Sequence, residues 1–197
     1  PLELWERLKQ KLDHNVPSLI TIAYAIAQSA HEGQKCRGGT PYSGHPLRVC
    51  HILCGERPFL YHHMIAAGLL HDAVEDTRRA PRPVTIAFIK ITCNKEVAAW
   101  VDMLTKPPVG KRVRRKKSMG LPQSIFDRDR EYYARLLAAP FQVRLIKLAD
   151  RLDNMRSLHF TEDPKRIERY KKETRRYVLP LARATDQWFF DEIAALC

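Results

Sequence analysis

Apolar residues recur at intervals of three and four along almost the whole chain, and strict apolar/polar alternation is nearly absent. Helices need a period of 3.6 and half-buried strands a period of two. The spacing therefore predicts an all-α fold, a single compact multi-helix domain spanning residues 1–197. Helices are expected at 2–13, 17–32, 46–56, 60–72, 83–91, 94–105, 123–138, 141–158, 163–179 and 183–195. Pro46 can open a helix, because a first-turn N–H would have no partner there. Asn94 and Asp163 are of the type that caps a helix start. Two segments break the helical pattern and read as loops, Gly33 to Gly44 and Lys106 to Pro122.

A 45% hydrophobic, 28% charged composition is globular, which excludes disordered and collagen-like classes. The longest apolar stretches, such as 64–70, fall far short of the roughly 20 residues of a membrane-spanning helix. The opening PLELWER carries acids, unlike a secretory leader, so the expected location is the cytoplasm. Five cysteines without a CxxC pair suggest neither a disulfide framework nor a zinc ribbon, and Cys50 and Cys54 read as small core residues. Lys and Arg total 34 against 22 acids, a net charge of +12. The 106–122 loop, KPPVGKRVRRKKSMGLP, supplies seven of those basic residues and no acid. It could tether a nucleic acid or another polyanion, or simply be solvated, since no aromatics are interleaved to stack on bases.

Chemistry concentrates in three places. In LLHDAVEDT at 69–77, four ionisable residues follow directly on an apolar run, and burying them requires pairing or a cation. On one continuous helix, His71 and Glu75, like Asp72 and Asp76, would form adjacent stripes able to converge on an ion. The segment 141–158 has an apolar face of Leu145, Leu148, Leu152 and Met155. Ile146, Asp150, Asn154 and Ser157 run along another face, and Arg144, Lys147 and Arg151 form a cationic row suited to phosphate. His45 follows a glycine-rich loop carrying Lys35 and Arg37. Two imidazoles with two carboxylates suit Mn²⁺, Fe²⁺ or Zn²⁺. Such a metal lowers the pKa of a bound water and screens charge on a phosphate under attack. The remaining histidines, at 14, 31, 51, 62, 63 and 159, read as surface or packing residues.

His45-Pro46, His71-Asp72 and Asp150 follow the ordered H…HD…D pattern of the HD superfamily of metal-dependent phosphohydrolases. More narrowly, AHEGQ (30–34), GTPYSGHPLRV (39–49), LLHDAVEDT (69–77), LIKLADRLDNMRSL (145–158) and ETRRYVLPLA (173–182) resemble the hydrolase domain of RelA/SpoT homologues, over about residues 20 to 182. That resemblance implies hydrolysis of the 3′-pyrophosphate of (p)ppGpp. It implies His45, His71, Asp72 and Asp150 as ligands of Mn²⁺, and Glu75 and Asp76 as the acids that orient and deprotonate water. Arg37, Lys147, Asn154 and Ser157 match substrate-binding positions. The partner is thus a small nucleotide (ppGpp, pppGpp or ppApp), with no membrane. Cys36 stands where an arginine is common and Gly38 where Ser or Asp is, which leaves base preference open. Ser157 replaces Thr, and Asp153 replaces a common His and is expected to be peripheral. With no synthetase segment following, a small alarmone hydrolase is expected. The rivals are an HD phosphatase acting on another nucleotide such as NADPH, and a non-catalytic alarmone- or RNA-binding protein. The acids beside the metal set speak against the latter.

Overall fold

The computed structural model describes residues 1–12, 17–35, 39, 41–56, 61–108 and 125–197, the side chain of Phe126 excepted. Its α-helices are α1 (Leu2–Lys11), α2 (Ser18–Ala30), α3 (Gly44–His51), α4 (His62–Leu70), α5 (Ala73–Asp76), α6 (Ile86–Thr92), α7 (Lys95–Leu104), α8 (Ile125–Leu137), α9 (Phe141–Arg156), α10 (Pro164–Glu173), α11 (Leu179–Arg183) and α12 (Gln187–Ala195). No strand occurs among the described residues, whose one isolated bridge pairs Lys35 with Pro41. The all-α expectation therefore holds.

α4 forms the centre of the fold because it is apolar all round: every residue from Met64 to Leu70 is buried. It packs against α2, α3, α7 and α9. Burying Met64, Ile65, Leu69 and Leu70 is worth about 1.5–3 kcal/mol each. Gly68 lets α3 come close, since a Cβ there would lie 3.3 Å from the Cys50 sulfur. Cys50 and Cys54 are core residues as expected, the Cys50 thiol donating to the Ile65 carbonyl. α9 is the second buried helix, with ten residues from Val143 to Met155 out of solvent.

Both anticipated caps form. Asn94 Oδ1 accepts the N–H groups of Glu96 and Val97, and Asp163 Oδ1 accepts that of Arg166. Thr85 and Asp186 cap α6 and α12 in the same way.

Three expectations need correction. α3 begins at Gly44, two residues before Pro46, and proline is tolerated there because N–H groups of the whole first turn lack helical partners. The 60–72 helix stops at Leu70, so His71 and Asp72 lie in the break before the one-turn helix α5. The 163–179 helix does not end at Pro180. The chain widens into a π turn over Thr174–Val178, where the Leu179 N–H reaches back to the Thr174 carbonyl, and then continues as α11 with Pro180 in its first turn. Widening just before a proline absorbs the hydrogen bond that the ring cannot make.

Candidate metal centre and adjoining cleft

The break between α4 and α5 builds the site. At the end of α4 the His71 ring turns back, and its Nδ1 donates to the Gly68 carbonyl at 2.8 Å. His45, near the start of α3, donates from Nδ1 to Asp153 Oδ2 at 2.6 Å. Since an acceptor occupies each Nδ1, a neutral ring carries its lone pair on Nε2. Both Nε2 atoms are buried and without a hydrogen bond. Carboxylates nevertheless stand close: His71 Nε2 is 3.1 Å from Asp72 Oδ2 and 3.7 Å from Asp150 Oδ1. His45 Nε2 is 3.6 Å and 3.2 Å from the same two atoms. These atoms approach one another without hydrogen-bond alignment, so two lone pairs and the Asp150 carboxylate converge, with Asp72 beside them. Ligand atoms of His45, His71 and Asp150 all lie within 4.8 Å of one another. Orphaned imidazole nitrogens among carboxylates fit a divalent metal of intermediate hardness.

Other side chains hold these ligands in place. The Tyr42 hydroxyl donates to Asp72 Oδ2 at 2.6 Å, the Lys147 ammonium to Asp150 Oδ2 at 2.6 Å, and the Asn154 amide to Asp150 Oδ1. Burial alone would make both imidazoles less basic, yet Asp72 and Asp150 raise the pKa of His71, and Asp150 and Asp153 that of His45. Burial likewise opposes ionisation of the acids. His71 overcomes it at Asp72 and Lys147 at Asp150, holding both below the usual carboxylate range. The centre thus favours positive charge at its midpoint.

α5 carries Glu75 and Asp76 one turn beyond Asp72, so the motif straddles a helix break instead of forming stripes on one helix. Glu75 Oε2 accepts the backbone N–H of Lys106 at 3.1 Å. Asp76 is pushed up to about 6, first by burial and then by the charges of Asp72 and Glu75. Its Oδ2 lies 3.8 Å from Nδ1 of His31, which is a buried residue as one of the two expectations had it, and packs beside the site.

A cavity of about 780 Å³ adjoins the centre, lined by Lys35, Tyr42, His45, Arg48, Asn154 and Ser157 among others. Asn154 and Ser157 therefore face the same cleft as His45. The cationic row of α9 does not. Lys147 is engaged with Asp150, Arg144 donates to the Ala184 carbonyl, and Arg151 is buried against Glu173 and Tyr133 with Tyr170 stacked 4.1 Å away. Lys106, expected in the solvated loop, points inward to Glu173 at 3.0 Å and Asp129 at 3.3 Å. Arg37, Cys36, Gly38 and residues 109–122 lie outside the described residues.

Sequence reasoning missed Tyr42 and Arg48, and misplaced Asp153, which is buried at 5% exposure and not peripheral. Its signal was available: Asp153 follows Asp150 by three and Arg48 follows His45 by three, putting opposite charges beside two ligands on different helices.

The HD domain matches residues 23–188. The chain is an HD-domain protein. Among curated relatives, this HD-domain chain is 32% identical over 198 residues to a probable guanosine-3′,5′-bis(diphosphate) 3′-pyrophosphohydrolase of Synechocystis, covering 96% of the chain and 23% of the relative. It is 33% identical over 186 residues to the bifunctional (p)ppGpp synthase/hydrolase SpoT of Escherichia coli, covering 91% and 24%. It thus spans about a quarter of the length of these relatives. A solved structure described as a metazoan ortholog of SpoT that hydrolyzes ppGpp superposes with a TM-score of 0.73 at 21% identity, over 91% of this chain and 94% of that one. At that identity the likeness establishes the HD-domain fold.

Proposed function

We propose that this chain is a metal-dependent (p)ppGpp 3′-pyrophosphohydrolase, releasing pyrophosphate from the 3′ position of the nucleotide, with Mn²⁺ as its ion. The observation that carries this reading is the pair of buried Nε2 atoms of His45 and His71, without a hydrogen bond and close to Asp72 and Asp150, with His45 also lining a cavity of about 780 Å³. The names of the curated relatives supply the substrate class. Residues 1–197 are read as one HD-type unit, supported by a hydrophobic cluster running from Trp5 to Ile193. The free cysteines at 50, 54, 93 and 197 suit a reducing compartment, which supports a cytoplasmic location.

His45, His71, Asp72 and Asp150 would hold the ion. When bound, it supplies Lewis acidity to a phosphate oxygen and lowers the pKa of water toward neutrality. Asp76, with a pKa raised to about 6, is suited to accept a proton near neutral pH. Glu75, braced by the Lys106 N–H, orients the attacking water alongside it. Asn154 and Ser157 present polar groups to the nucleotide from the cleft wall. Arg37 is assigned to the substrate phosphates by sequence resemblance. Lys147 serves Asp150 directly and the substrate only through that contact. The net charge of +12 favours capture of a polyanionic nucleotide.

Incubating the protein with Mn²⁺ and a panel of ppGpp, pppGpp, ppApp and NADPH tests the proposal. Pyrophosphate and a 5′-nucleotide are expected from the alarmones. Turnover of NADPH alone would contradict it.

A further inference from the structure

Asp153 and Arg48 form an ion pair that bridges α3 and α9, with Asp153 buried and Arg48 half-buried at the wall of the cavity. Arg48 donates from Nε to Oδ1 at 2.8 Å and from Nη2 to Oδ2 at 3.0 Å, a two-point fork, while Oδ2 also accepts from His45 Nδ1 at 2.6 Å. His45 and Arg48 sit three apart on α3, and Asp150 and Asp153 three apart on α9. The ion pair therefore joins the two helices that bring His45 and Asp150 together.

We propose that Asp153, with Arg48 as its counter-cation, is a positioning residue that sets the metal affinity of this protein through His45. Three physical effects converge on that role. A carboxylate at Nδ1 keeps the proton on that nitrogen and aims the Nε2 lone pair at the centre. Its negative charge makes the imidazole a stronger donor, the usual work of an acid behind a metal-bound histidine. The Arg48 fork holds the carboxylate at one rotation and balances its charge, so Asp153 does not compete as a ligand. A neutral acceptor at 153 could still accept from His45 but would take away the carboxylate facing the Arg48 guanidinium. Arg48 and Asp153 thus work as a unit.

This inference rests on the metal-centre reading above, and metal binding without nucleotide separates the two. Mn²⁺ is titrated into apo-protein against a fluorescent chelator for wild type, Asp153→Asn, Asp153→Ala, Arg48→Gln and the Arg48→Gln/Asp153→Asn double variant, with thermal melts of each. Asparagine keeps an acceptor but removes the charge, so Asp153→Asn should weaken Mn²⁺ binding by about 10–100-fold, the range for such supporting partners. Asp153→Ala should weaken it at least as much. Arg48→Gln should have a smaller effect that adds nothing in the double variant, because Arg48 acts through Asp153. Activity of Asp153→Asn should recover at high Mn²⁺. A merely structural role would lower the melting temperature and leave Mn²⁺ affinity within about threefold of wild type, which overturns the proposal. If Asp153→Ala does not fold, the isosteric Asp153→Asn decides. Wild type that binds no Mn²⁺ at all overturns both the centre and this inference.

Discussion

Glu173 lies at a junction between the site and the last third of the chain, and the cost of neutralising it can be worked from the structure. Its Oε1 accepts from Arg151 at 2.8 Å, Lys106 at 3.0 Å and the Tyr133 hydroxyl at 3.0 Å. Burial would raise its pKa, but Arg151 first and Lys106 second outweigh burial and bring it from 4.5 to about 2. At roughly 1.36 kcal/mol per pH unit, that drop corresponds to about 3 kcal/mol of stability from the ionised group. The folded pKa is depressed, so this contribution is complete above the unfolded pKa of 4.5 and is lost as pH falls toward 2. Glu173→Gln should therefore cost about 3 kcal/mol at pH 7, or about 6–12 °C in melting temperature for a domain of this size. The gap between variant and wild type should shrink steadily below pH 4.5, as wild type protonates the same carboxyl. Urea unfolding of both proteins at pH 7 and near pH 3 measures it. A difference under about 1 kcal/mol at pH 7, or one equally large near pH 3, would refute the reasoning.

Replacing His71, Asp72 or Asp150 by Ala should remove bound metal and activity together, as read by elemental analysis beside turnover; an active variant without metal would take that residue out of the centre. Glu75→Gln and Asp76→Asn should keep the metal and lower kcat by about 10²–10⁴-fold, and losses under about threefold in both would exclude them from proton transfer. Asn94→Ala removes two capping hydrogen bonds from α7 and should cost about 1 kcal/mol in urea unfolding, with Mn²⁺ affinity unchanged. Neutralising Arg112, Arg114, Arg115, Lys116 and Lys117 should lower kcat/KM chiefly at low salt, since the screening length is about 8 Å at 0.15 M; an equal loss at every salt concentration would indicate direct phosphate contact instead.

The helical class and both asparagine and aspartate caps were readable because period and cap chemistry are local. So was the candidate metal cluster of His45, His71 and Asp150, since imidazoles and carboxylates beside apolar runs need pairing or a cation wherever the chain folds. What escaped depends on pairing across distance. The break at His71–Asp72 directly follows an apolar helical run with no glycine or proline at the break itself to mark it, and the convergence of the motif comes from that break together with α9. Lys147 and Arg151 looked like phosphate ligands because a row of cations on one helix gives no hint that Asp150, Glu173 and Tyr133 already engage them. Asp153 looked peripheral because its partners, His45 and Arg48, lie more than a hundred residues earlier. The helix expected over 163–179 gave no sign of the π turn at Thr174–Val178, which is a response of the backbone and leaves no mark in the residue pattern.

The central claim is that water, activated at the His45, His71, Asp72 and Asp150 centre, attacks phosphorus at the nucleotide 3′ position. The most direct measurement is turnover of ppGpp with Mn²⁺ in ¹⁸O-labelled water, with mass analysis of both products and a chelated control. The account predicts pyrophosphate carrying one ¹⁸O atom, unlabelled GDP, and no reaction after chelation. Release of orthophosphate, label in GDP, or undiminished turnover without metal would contradict it.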